Sequence, residues 1–223
     1  MRERKEKRVQ TVGEQIANST SHGVMVVFGI YALVALILKA YNSWSLISAI
    51  VFGISIIFLY LMSTLYHALS FTKSRGLFKR FDHLGIYMLI GGTFAPALLL
   101  LESLRVTPFL GIPGMLDMGL TLFIIQWLMI ITGIVFKSIW VYRFQALHIA
   151  IFLILGWSAL LFVIDLWKFS EPAFWLILAG GLSYSIGVIF YSLSNKKYFH
   201  FIWHLWVAAG TILQFIAIYA YLI

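Results

Sequence analysis

The chain has 223 residues, 62% of them hydrophobic and only 11% charged, far from the roughly 45 to 50% apolar and about 25% charged of a soluble domain. That balance leaves an integral membrane protein. Its net charge of +8 lies mostly in short loops beside long apolar runs, where basic residues set topology, so nucleic-acid binding is not expected; the absence of cysteine excludes disulfides, thiolate nucleophiles and cysteine metal sites.

Residues 1–8 form a basic tail. A basic start before an apolar run is also the plan of a signal peptide, but the run over 23–38 is near the upper length for one, no small-x-small cleavage site follows, and six further runs come after it. It is therefore expected to be an uncleaved first span. Taking about 20 apolar residues as one crossing, seven spans are expected: 21–39, 45–69, 81–101, 114–137, 144–164, 172–193 and 199–223. The connections are too short for another domain, so residues 1–20 are expected to be a basic, amphipathic cytoplasmic segment and 21–223 a single all-α bundle of seven transmembrane helices. Pro96, following Gly91, Gly92 and Thr93 in the third span, predicts a kink or close helix packing there.

Orientation follows from the basic residues. With the N-terminus inside, the cytoplasmic side collects the tail, Lys73, Arg75, Lys79, Arg80, Lys137, Arg143, Lys196 and Lys197, leaving only Lys39, Arg105 and Lys168 outside. The N-terminus is thus expected in the cytoplasm and the C-terminus outside, in a multi-pass protein of the plasma membrane.

On this topology His22, His67, His83, His148, His200 and His204 all fall at the cytoplasmic ends of their spans. Ionisable groups within membrane segments are costly enough to suggest function. His200 and His204 are four apart and so share one helix face. No carboxylate lies between them to act as the base of a zinc-protease motif. Ser63 and His67 share the same spacing at the end of span two, and Asp82 sits at the start of span three, at matching depth. Three neutral imidazoles, His67, His200 and His204, with an open fourth position describe a catalytic zinc site. Asp82 is suited to hold or deprotonate water there, and Ser63 to orient it or to stabilise an oxyanion.

Plainer roles stand beside these. His83 and His148 fit polar anchors or hydrogen-bonded packing residues. Asp82 also fits a helix cap, and Ser63 fits a bond to a carbonyl one turn earlier. Glu14, Asn18 and His22 form a further ladder on one face, either a solvated surface or an outer shell that orients metal ligands.

Together, Glu14, Asn18 and His22, Ser63 with His67, Asp82-His83 with Gly92-Thr93-Phe94-Ala95-Pro96, and His200 with His204 give a pattern that resembles the hemolysin III family, the bacterial branch of the progestin and adipoQ receptors. The resemblance spans the chain from first span to last. It implies seven helices with the N-terminus inside and zinc near the cytoplasmic face, with His67, His200 and His204 as ligands and Asp82 and Ser63 beside them. The family is also similar to alkaline ceramidases, which implies hydrolysis of a lipid amide, and its bacterial members are associated with haemolysis and with membrane-lipid homeostasis. Thr-Phe-Ala-Pro stands where relatives often carry Thr-Tyr-Thr-Pro. The long cytoplasmic domain of the animal receptors has no counterpart, so membrane lipids are the expected partners and no protein partner is named. The expected function is a zinc-dependent hydrolase of lipid amides or esters. A lipid-homeostasis sensor with structural zinc and a haemolytic membrane protein are the alternatives.

Overall fold

The computed structural model describes residues 8–140 and 143–223; Arg2, Arg4, Lys5 and Lys7 of the basic tail lie outside the described residues. Among the described residues seven helices are long and apolar enough to cross a membrane: α1 Val12–Lys39, α2 Ser43–Ala68, α3 Arg75–Leu100, α4 Met118–Ile139, α5 Gln145–Phe169, α6 Glu171–Ser192 and α7 Phe199–Leu222. The protein is an all-α, multi-pass membrane protein, as its composition implies. The helices begin and end near the expected edges, with one large difference. α1 starts nine residues before Ser21, because Thr11 and Glu14 form a capping box: the Thr11 hydroxyl accepts from the Glu14 amide at 3.3 Å, and the Glu14 carboxylate accepts from the Thr11 amide at 2.9 Å. Residues 12–20 are therefore the first turns of the spanning helix, which carries Glu14, Gln15 and Asn18 inward as buried polar groups.

α1, α2 and α3 form the densest part of the bundle. In a bilayer, close backbone approach has to replace the hydrophobic effect as the source of helix association, and small residues permit it. Gly92 of α3 faces Ser55 of α2 so closely that a Cβ on Gly92 would come within 2.0 Å of the Ser55 hydroxyl oxygen and 3.1 Å of the Val51 carbonyl. This is the close packing predicted around Pro96, which is buried inside a helix running on to Leu100.

α5 is interrupted. Its α-helical parts Gln145–Gly156 and Val163–Phe169 flank a 3-10 stretch, Trp157–Phe162. A change of winding inside a membrane leaves backbone carbonyls that need partners. The Ser158 hydroxyl donates to the Leu155 carbonyl at 2.7 Å, and the Trp157 indole donates to the Ser185 hydroxyl of α6 at 3.1 Å. The loop between α3 and α4 carries a short helix, Glu102–Val106, and is tied by an Arg105–Asp117 ion pair at 3.0 Å.

α1 meets α7 at both ends. At the far end the Lys39 ammonium donates to the Tyr219 carbonyl, in the π-helical last turn Ile218–Leu222. At the near end the Glu14 carboxylate accepts from the Tyr198 amide at 2.9 Å. The near end is where the histidines collect.

Candidate metal centre

α2 delivers His67 in its last turn, and α7 delivers His200 and His204 in its first two turns. The start of α7 is fixed by Tyr198, a left-handed residue with φ of 63°, whose amide would otherwise be an orphan helix-terminal donor. Glu14 takes that donor, and also pairs with Arg8, whose Nε donates to the Asn195 carbonyl at 3.0 Å. The acid ladder on α1 thus grips the turn that launches the His200/His204 helix.

The three imidazoles converge. One nitrogen from each of His67, His200 and His204 lies within 4.8 Å of the other two. Their ring centroids are 4.7 to 5.1 Å apart. His67 and His204 are buried and His200 is half-buried. The Nε2 atoms of His67 and His200 are 3.3 Å apart.

Hydrogen bonding on the opposite edge of each ring decides which nitrogen is free to coordinate. The His67 Nδ1 lies 2.7 Å from the Gln15 Oε1, an atom that can only accept, so Nδ1 carries the proton. The Asn18 amide nitrogen also approaches that Nδ1, but at 3.5 Å it is the weaker contact. The His204 Nδ1 faces the Asn18 carbonyl and the Ser21 hydroxyl, each at 3.3 Å. The Ser21 proton is already given to the Asn18 carbonyl at 2.9 Å, so both oxygens act as acceptors and His204 is likewise protonated at Nδ1. In both rings the Nε2 lone pair therefore points into the cluster, and the His204 Nε2 is buried without any protein partner.

Two imidazole nitrogens each about 2.05 Å from a tetrahedral zinc stand about 3.3 Å apart, the separation found between His67 and His200. Buried lone pairs directed at one another are unfavourable without a proton or a cation between them. The donor set fits a divalent metal of zinc type.

The other expected residues are placed as follows. Ser63 and Asp82 are both buried, and the Ser63 hydroxyl closes no hydrogen bond. That geometry does not match the plainer expectation in which Ser63 bonds back along its own helix. Among the described residues Asp82 is not one of the groups that converge on the metal position. Asn18 acts chiefly through its backbone carbonyl. His22 stacks face to face on His204 at 3.6 Å and edge-on to Tyr60 at 4.8 Å, with neither ring nitrogen hydrogen-bonded. Away from the cluster, the His148 Nδ1 bonds the Tyr87 hydroxyl at 2.8 Å, as a packing histidine does.

Sequence reasoning missed Gln15. A signal was present: Gln15, Asn18 and His22 follow the 3,4 spacing of one helix face, but Gln15 lies beside Glu14, which drew attention to the neighbouring row.

Behind His22 an apolar cavity of about 180 Å³ opens between α3, α5, α6 and α7, lined by residues such as Leu89, Phe94, Phe152, Trp157, Tyr184 and Val207. The interrupted helix α5 forms one of its walls.

The fold and site define a multi-pass membrane protein with a buried three-histidine cluster at one end of the bundle and an apolar cavity beside it. The chain belongs to the haemolysin III family: residues 10–215 match the family model described as Haemolysin-III related. It is 37% identical over 215 residues to the Hemolysin-3 homolog of Bacillus subtilis (strain 168), covering 95% of each chain. It is 35% identical over 227 residues to Hemolysin-3 of Bacillus cereus, covering all of this chain and 98% of the relative. More distantly, it is 28% identical to the human monocyte to macrophage differentiation factor, over 95% of this chain and 86% of that one.

Proposed function

We propose that this protein is a zinc-dependent membrane hydrolase of lipid amides or esters, with its site at the cytoplasmic face. The observation that carries the reading is the convergence of the His67, His200 and His204 nitrogens at the end of the bundle where His22 borders a cavity shaped for hydrocarbon.

Zinc, when bound, supplies a Lewis acid that polarises a carbonyl and acidifies water. The chain's own residues do the rest. His67, His200 and His204 would hold the ion through a ring nitrogen each. Asp82, outside the converging set, is the general base. The Ser63 hydroxyl, which closes no hydrogen bond within the protein, has a proton to give to a developing oxyanion. The cavity excludes water from the acyl chain and brings the scissile bond to the depth of the histidines.

Three converging groups, rather than four, among the described residues favour an open site over a closed structural one. A structural role has one observation in its favour: the cluster joins α2 to α7, with α1 bonded to both, and would clamp them in a lipid-homeostasis sensor.

The test is metal analysis and lipid-amide turnover by purified protein. The hydrolase reading expects near-stoichiometric zinc, turnover lost on chelation, and Asp82→Ala that keeps zinc while losing at least about 100-fold in rate. Zinc without turnover on any lipid amide or ester selects the sensor.

A further inference from the structure

We propose that Gln15 is a positioning residue of the metal centre, fixing the tautomer and orientation of His67 from the neighbouring helix; the proposal rests on the metal reading above. Gln15 is 5% exposed and lies in the second turn of α1. Its Oε1 accepts from the His67 Nδ1 at 2.7 Å, the shortest hydrogen bond made by any of the three clustered imidazoles.

The physical reason is a choice between two protonation states of a neutral ring. With Nδ1 protonated, His67 presents a lone pair at Nε2 toward His200, 3.3 Å away. With Nε2 protonated, the same edge presents a donor and cannot ligate. An acceptor-only carbonyl at Nδ1 makes the second state leave both Nδ1 and Oε1 buried without a proton between them, which is unfavourable. Gln15 therefore holds His67 ready before the metal arrives. Partners in this position hold metal-ligating histidines in other proteins and are worth about 10- to 100-fold in affinity when removed. His204 is held in the same sense by the Asn18 carbonyl, a backbone atom that substitution cannot delete. Gln15 is the side chain through which this control can be tested.

Gln15→Leu removes the acceptor at similar size, and Gln15→Glu keeps an acceptor and makes it stronger. Zinc affinity is measured by chelator competition on the purified full-length protein, alongside the visible absorption of the cobalt-substituted form, which reports ligand number and geometry. The expected result is a 10- to 100-fold loss of zinc affinity in Gln15→Leu, with an altered cobalt spectrum. Gln15→Glu should equal or exceed wild type, with the wild-type spectrum. Gln15→Leu within twofold of wild type overturns the proposal. So does Gln15→Glu binding as weakly as Gln15→Leu, which would mean that the position matters only for packing. If Gln15→Leu does not fold, Gln15→Glu alone decides, because a positioning role requires it to keep zinc at least as tightly as wild type. A wild-type protein that binds no zinc overturns the metal assignment together with this one, whereas tight wild-type zinc with an indifferent Gln15→Leu overturns Gln15 alone.

Discussion

The Nε2 atoms of His67 and His200, from helices 133 residues apart in sequence, face each other at 3.3 Å. With both rings protonated at Nδ1 the two lone pairs would face each other, and a cation between them would relieve the contact. From it follows the first expectation: His67→Ala, His200→Ala and His204→Ala each lose bound zinc, and Asp82→Ala retains it. Metal analysis of the four purified variants checks this. Zinc retained in the histidine variants removes the site.

Acidification should release the metal. Each ligand must be a neutral imidazole to coordinate, so protons compete with zinc. The sign is one-way: zinc affinity falls as the pH drops. Zinc release against pH, followed with a fluorescent chelator, reads it directly. Release that grew as the pH rose would mean that the histidines are not the ligands.

Glu14 caps α1 and holds the Tyr198 amide that opens α7. Glu14→Ala loses a cap and leaves buried donors unpaired, costing about 1 to 3 kcal/mol. Because Glu14 touches no ligand imidazole directly, the loss should appear in thermal stability of the metal-free protein before it appears in zinc content. Thermal melting beside metal analysis separates the two.

Packing at Gly92 is testable by compensation. Gly92→Ala drives a methyl to within 2.0 Å of the Ser55 hydroxyl oxygen and should destabilise by about 1 to 3 kcal/mol. Ser55→Gly in the same chain clears most of that clash and should recover part of the stability. Equal melting of the single and double variants would show that the helices simply move apart.

By contrast, Arg105→Ala should matter little. The Arg105–Asp117 pair is partly exposed, and such pairs contribute about 0 to 1 kcal/mol. Arg105 also lies over the Trp44 ring at 4.3 Å, which adds about 0.5 to 1 kcal/mol. A melting shift much larger than these together would mean that the loop is a structural keystone.

The seven spans were legible because a run of about 20 apolar residues has few other fates, and His200 with His204 because a spacing of four fixes a shared helix face. His67 and Asp82 were legible only as matching depths in separate spans. That grouped His67 with His200 and His204, whose nitrogens lie within 4.8 Å of one another, and kept Asp82 apart as a base rather than a ligand. The early start of α1 was missed because charged and polar residues around Glu14 read as solvated until Tyr198 and His67 are seen to accept their company. Nor does sequence show that Tyr198 would take a left-handed conformation, since nothing at that position but the surrounding contacts demands it. The break in α5 was hidden for a related reason: Trp157–Phe162 is as apolar as any helix, and the 3-10 winding answers to its neighbours rather than to its own residues.

The clasp between α1 and α7 has a consequence for biogenesis. Gln15 can meet His67 as soon as two helices have left the ribosome, but Glu14 and the Asn18 carbonyl must wait for Tyr198 and His204, which are made last. The centre cannot be completed until translation is nearly over. A chain stalled after α6 would leave uncompensated polar groups of its first helix in the bilayer, a mark by which membrane quality control could tell an unfinished molecule from a finished one.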